Sequence, residues 1–209
     1  VAMILGSATL FFILLGSAGW LAAAMAVPLA MLLACAWPRL RRPMSALFVF
    51  APLPALAAAL FAGTDSALVV GNESYALTLA LDVPGAMLLA VAAVLWSFAG
   101  LYAARHVRER PAASGFIVCW LVTLTGWGGG FLAADLVAFY FLLAVLSVGA
   151  SGLVLQGEGA DALRASALYL GLALLAEAFL LAGLILLAQA TPDGSLLISD
   201  AAAALPGSP

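Results

Sequence analysis

Glu177 stands near the middle of an apolar run, within Leu174-Leu175-Ala176-Glu177-Ala178-Phe179. Holding a charge at the centre of a membrane-spanning helix costs about 2.5–3.5 kcal/mol on insertion scales, and intramembrane carboxyls mark ion or proton paths. The plainer reading is a carboxyl hydrogen-bonded to a neighbouring helix. Asp82 and Asp135 each open an apolar run. A carboxylate there accepts the free N–H groups of a helix start and opposes the positive end of its dipole. Both are read first as caps, and second as acids at the mouth of a path that leads to Glu177. His106, between Arg105 and Arg108, is read as a solvated loop residue rather than a proton relay.

The elements that carry these groups are membrane spans. The 209 residues are 67% hydrophobic and 8% charged, against roughly 25% charged in a soluble domain. Mean hydropathy is +1.22. About 20 apolar residues cross a hydrocarbon core of about 30 Å, and such runs repeat along the chain. They predict an all-α polytopic transmembrane bundle, a single domain over residues 1–209, with six spans: 20–37, 44–62, 82–104, 114–132, 135–155 and 163–190. Residues 3–37 as one helix would reach about 52 Å, so the run is split at Gly16-Ser17-Ala18-Gly19. The piece 3–17 is left open between a short seventh span and none. Trp20 and Trp37 bracket the next piece in the manner of interfacial anchors. Pro52 and Pro54 fall inside the second span, where neighbouring helices can satisfy the freed carbonyls.

All 7 basic residues are arginines. They form three groups: Arg39, Arg41 and Arg42; Arg105, Arg108 and Arg110; and Arg164. Loops rich in Arg and Lys lie on the cytoplasmic side, which puts 38–43, 105–113 and 156–164 inside, and the alternation of sides is kept throughout. Residues 63–81, with Asp65 and Glu73, read as an outside loop, and the tail 191–209, with Asp193 and Asp200, as polar and outside. The inside loop 156–163 holds Glu158 and Asp161.

Several chemistries are excluded. No basic patch extends beyond the short inside loops, so nucleic acid is not a partner. Cys35 and Cys119 lie inside apolar runs, where a thiol acts as a small hydrophobe, and neither is spaced with a second metal ligand. Gly128-Gly129-Gly130 lack the following Lys-Ser/Thr of a phosphate loop and are read as permitting close helix approach or a bend. Ala144, Ser147 and Ser151 place small residues on one helix face, suited to packing against another helix. Asn72-Glu73-Ser74 matches a glycosylation sequon, of consequence only in a secretory compartment. No metal, cofactor or catalytic site is expected.

From Asp82 to Gly207 the chain resembles the antiporter-like membrane subunits of respiratory complex I, whose relatives occur in multisubunit cation/proton antiporters and membrane-bound hydrogenases. Four stretches carry the resemblance. Leu81-Asp82 opens a span closed by Leu101-Tyr102-Ala103-Ala104-Arg105, like the family's third helix. Ala134-Asp135-Leu136-Val137-Ala138-Phe139-Tyr140-Phe141 is similar to the start of its fifth. Ala167-Leu168-Tyr169-Leu170 with Phe179-Leu180-Leu181-Ala182-Gly183 resembles its sixth. Asp193-Gly194-Ser195-Leu196 leading into 201–205 resembles the loop before its seventh.

The resemblance implies a membrane subunit of a proton-translocating complex of the NADH–quinone oxidoreductase, antiporter or hydrogenase kind. It would contribute to the path of protons or Na+, with the redox step left to partner subunits. It implies a prokaryotic cytoplasmic membrane, and a chain that is the N-terminal part of a longer subunit. The departures are specific. The family's fifth helix carries a glutamate a few residues after its Phe-Tyr, where this chain reads Leu142-Leu143-Ala144-Val145. A lysine often precedes the sixth-helix tyrosine, and here Leu168 stands there. Glu177 is then a substitute carboxyl. The rival expectation is a non-conducting structural or assembly subunit, favoured by the absent acid and the absence of lysine. An unrelated small transporter acting alone ranks last, because no inverted repeat or pair of broken helices is found.

Overall fold

In the computed structural model the chain is described over residues 2–63, 67–72, 75–107, 113–157, 159–191 and 195–203. Asp65, Glu73 and Ser74, Arg108, Arg110, Glu158, Asp193 and residues 204–209 lie outside the described residues, as does the side chain of His106. The elements in order are α1 (Ala2–Ala34), α2 (Pro38–Leu47), a 3₁₀ turn (Phe48–Phe50), α3 (Leu53–Phe61), the strands β1 (Ala67–Asn72) and β2 (Tyr75–Ala80), α4 (Val83–Val107), α5 (Ala113–Leu132), α6 (Leu136–Leu155), α7 (Ala160–Ala190) and α8 (Ile198–Ala203). Six segments are long and apolar enough to cross a membrane: Gly16–Cys35, Arg39–Phe61, Val83–Arg105, Gly115–Leu132, Leu136–Leu155 and Ala160–Ala190. These are the six spans expected. The chain is an integral membrane protein built as a helix bundle.

The run 2–34 is broken where the sequence suggests. Gly16 takes φ 58° and ψ 174°, a left-handed conformation that side-chain-bearing residues avoid, and two helices meet there. The second span is interrupted at its prolines. Proline has no N–H to donate, so α2 tightens into the 3₁₀ turn and α3 restarts after Pro52, with Leu56 N–H donating to the Pro52 carbonyl at 3.1 Å.

Three local expectations are corrected. Residues 38–43, expected as a loop, are helical. Pro38 sits at the first helical position, where its missing N–H costs nothing, and the arginines ride on α2. The loops expected inside are accordingly shorter, since Arg105 and Arg164 also lie on helix ends. The loop expected outside is a β-hairpin, registered from Ala67↔Ala80 to Asn72↔Tyr75, because Val69, Val70, Tyr75 and Thr78 favour extended backbone. Trp20, expected at an interface, is 8% exposed and packs on Phe61 with ring centroids 5.9 Å apart.

The bundle has two ends. At one, Trp20, Leu21, Ala58, Leu79, Leu81 and Leu132 form a cluster under the hairpin. At the other, Cys35, Phe48, Ala103, Ile117, Trp120 and Leu121 pack together, with Met44 and Leu153 against them. The second cluster gathers the end of α1, the second half of α2 with the 3₁₀ turn, the end of α4, the start of α5 and the end of α6. The described arginines of α2 and α4 therefore share the end opposite the hairpin, and Arg41 Nε donates to the Cys35 carbonyl at 2.9 Å.

The centre is α5. Gly126 lies against the α6 backbone at Leu146 N and the Leu142 carbonyl oxygen, and Gly149 of α6 lies against Thr123, where an added Cβ would meet its backbone N at 2.6 Å. Backbones approach this closely only at small residues. In the expected glycine triplet, Gly129 permits approach by Leu142 and Met25, while Gly128 and Gly130 face open space and α5 runs on to Leu132.

Candidate functional site

Three acids were singled out, and they fall in two places. Asp82 precedes α4 and is exposed. Its Oδ1 accepts from Gly85 N–H at 2.8 Å, and its carbonyl from Ala86 N–H at 2.9 Å. Gly85 permits that approach, for a Cβ there would lie 2.5 Å from Oδ1. Asp135 caps α6 and is 6% exposed. Its Oδ1 accepts from Ala138 N–H at 2.6 Å, while Oδ2 accepts from Thr78 N–H on β2 at 2.9 Å. One carboxylate thus starts a helix and pins the hairpin to it. The backbone continues the work: Ala134 N–H donates to the Thr78 carbonyl at 2.8 Å, and Leu136 N–H to the Leu196 carbonyl at 2.9 Å. Asp135 is engaged through both oxygens at the hairpin end, and Asp82 through Oδ1 at the start of α4.

Glu177 is different. It lies on α7, whose span is only 6% buried. The two buried residues of that helix are Ser166 and Glu177. Ser166 O–H donates to the Ser151 carbonyl at 2.8 Å, which sets the antiparallel register of α7 on α6. Glu177 follows about three helical turns later, so both residues face α6. In that register Glu177 is level with Tyr140 of α6, with Ala144 one turn away towards the arginine end. Glu177 is 6% exposed, and its Oε1 has no hydrogen-bond partner among the described residues. Asp135 lies about 8 Å further along the axis at 1.5 Å per residue.

The surroundings of Glu177 along the α6–α7 seam are unequal. Towards the arginine end stand Ser147, Ser151 and Ser166, all buried. Towards the hairpin a cavity of about 160 Å³ is lined by Leu136, Val137, Tyr140, Leu181, Leu184, Ile185, Ala188 and Leu196. The seam thus carries buried hydroxyls on the arginine side, the nearest, Ser147, about 10 Å along the axis from the level of Glu177, and hydrocarbon on the hairpin side.

The bundle has a solved counterpart. A chain in the structure of the membrane-bound sulfane sulfur reductase, described as an archaeal respiratory membrane complex, superposes on it with a TM-score of 0.71. The two are 20% identical, and the likeness covers 88% of this chain. This chain spans 39% of that one. No protein-family model and no curated protein sequence matches it. At that identity the likeness shows a shared fold: the bundle is arranged like part of a chain in that complex.

Among the described residues no group of three His, Cys, Asp or Glu is placed to hold a metal ion. Sequence reasoning did not single out the hairpin or the second role of Asp135. The signal for the first was present in Val69-Val70-Gly71-Asn72, since β-branched residues ending at Gly and Asn mark a hairpin. Nothing in the sequence says which backbone N–H a capping carboxylate takes besides those of its own helix.

Proposed function

We propose that the protein is a membrane subunit of a proton-translocating respiratory complex, contributing to the ion path while partner subunits perform the redox step. Glu177 is the proton-accepting group. The observation that carries this reading is Oε1, which has no partner among the described residues although Glu177 is buried on an otherwise exposed helix. A buried carboxyl oxygen without a partner costs stability, and a group whose task is to receive a proton from elsewhere has reason to lack a fixed partner. The seam also fits the resemblance. The fifth-helix glutamate of the complex I antiporter-like subunits is missing at 142–145, and Glu177 enters the same α6–α7 seam from the other side. Its side of access is the arginine end, a reading supported by the buried serines of that half of the seam, and Asp135 and Asp82 mark the opposite mouth. The arginine end is cytoplasmic, the membrane is the prokaryotic cytoplasmic membrane, and the transported ion is H+ or Na+. The bundle is the front part of a longer conducting subunit, in keeping with its 39% share of the neighbour chain.

A second reading, a structural subunit that no longer conducts, is favoured by the hydrogen bonds of Asp82 and Asp135. Both are committed to backbone N–H groups, which leaves one deep carboxyl. Glu177→Gln and Glu177→Asp, each introduced into the assembled complex, separate the two readings. Conduction predicts normal assembly, ion translocation lost with Gln and partly kept with Asp. Full translocation by the Gln variant leaves only the structural role.

A further inference from the structure

The arginine end of the bundle carries charge that the chain itself leaves unanswered. Arg39 and Arg41 ride on α2 and Arg105 closes the span of α4, all three exposed. Among the described residues the only ion pair at this end is Asp161–Arg164, so these three guanidinium groups meet no described carboxylate. They flank one corner of the bundle. Cys35 and Met44 pack with Ala103 and Ala104 in a single cluster, and α2 lies against both α1 and α4.

Arg41 is already held in place. Its Nε donates to the Cys35 carbonyl at 2.9 Å. That carbonyl follows the last residue of α1 and is of the kind a helix end leaves without a donor, so the bond satisfies it and fixes the guanidinium plane. Nη1 and Nη2 remain as two parallel donors, an edge that matches two oxygens of a phosphate. Depth and neighbours then choose the anion. Arg39 begins the second span and Arg105 ends the third, so their charges stand where hydrocarbon gives way to headgroups. Beside them Trp37 is 64% and Tyr102 77% exposed, and such rings rest their apolar bodies on acyl chains at that depth. A soluble phosphate would use the charges alone; a phospholipid engages charges and rings together.

We infer that this corner binds the headgroup of one anionic phospholipid, its phosphate on the Nη1–Nη2 edge of Arg41 and flanked by Arg39 and Arg105. The inference does not depend on Glu177. It is tested with the intact chain in mild detergent, stripped of lipid and titrated with phosphatidylglycerol or with phosphatidylcholine of the same acyl chains, bound lipid being counted by native mass spectrometry. Wild-type protein should prefer phosphatidylglycerol on the order of 25-fold, about fivefold for each of two guanidinium groups at the phosphate. Arg39→Gln, which breaks no described bond, should lower that preference about fivefold. Arg41→Lys keeps the charge but loses the Cys35 bond and the paired donors, and should lower it as far. Arg164→Gln, whose partner is Asp161, should leave it unchanged. Equal binding of the two lipids by the wild type overturns the inference, as does a preference that survives either Arg39→Gln or Arg41→Lys. A preference lowered as much by Arg164→Gln overturns it too, because net charge alone would then explain it. In the assembled complex, an Arg39→Gln subunit that leaves its partners with its bound lipid unchanged would make the corner a protein interface instead.

Discussion

α5 and α7 are both long apolar spans, yet 56% of one and 6% of the other is buried inside the bundle. The more apolar of the two is the more exposed. Hydropathy identifies the solvent of a helix and says little about its protein neighbours. What places α5 at the centre is its supply of small and hydroxyl-bearing residues: Thr123, Thr125, Gly126 and Gly129 are buried, and the hydroxyls of Thr123 and Thr125 return to the carbonyls of Cys119 and Leu121. α7 inverts the pattern of a soluble protein, with leucines outward and its two buried residues polar.

The contrast can be broken most forcefully at α5. Gly126→Val drives a side chain into the α6 backbone and should cost about 3 kcal/mol or more, seen as loss of folded, monodisperse protein in detergent. Gly171 of α7 faces open space, so Gly171→Ala should leave the fold intact. A second pair compares two helix starts. Asp135→Ala removes the acceptor for Thr78 and Ala138 and should cost about 2–3 kcal/mol, read as a lower thermal midpoint and faster amide exchange in the hairpin. At the start of α7, Asp161 pairs with Arg164 at 3.9 Å with both side chains at least 80% exposed. Asp161→Asn should move the midpoint by nothing measurable, as is usual for exposed pairs. Equal effects at the two starts would mean that the hairpin is held by something other than Asp135.

The six spans were legible because 18 or more apolar residues in a row admit few other folds, and the break at residues 16–19 was legible in its glycines. Glu177 stood out for the same reason, as a carboxyl in hydrocarbon. The arrangement of helices was not legible. Gly126 and Gly149 read as ordinary small residues until their partners are known, and the register that sets Glu177 level with Tyr140 depends on a hydroxyl-to-carbonyl bond between Ser166 and Ser151. Arg41 was legible only as one charge of a basic group. Only the geometry shows that its Nε is taken by the Cys35 carbonyl.

The central claim, that Glu177 exchanges a proton inside the membrane, is tested most directly by labelling the assembled complex with an apolar carbodiimide. Modification at each carboxyl is quantified by peptide mass spectrometry alongside ion translocation. The account predicts that Glu177 is modified ahead of Asp82 and Asp135 and that translocation falls in proportion to its labelling. Full labelling of Glu177 with translocation unchanged would contradict it.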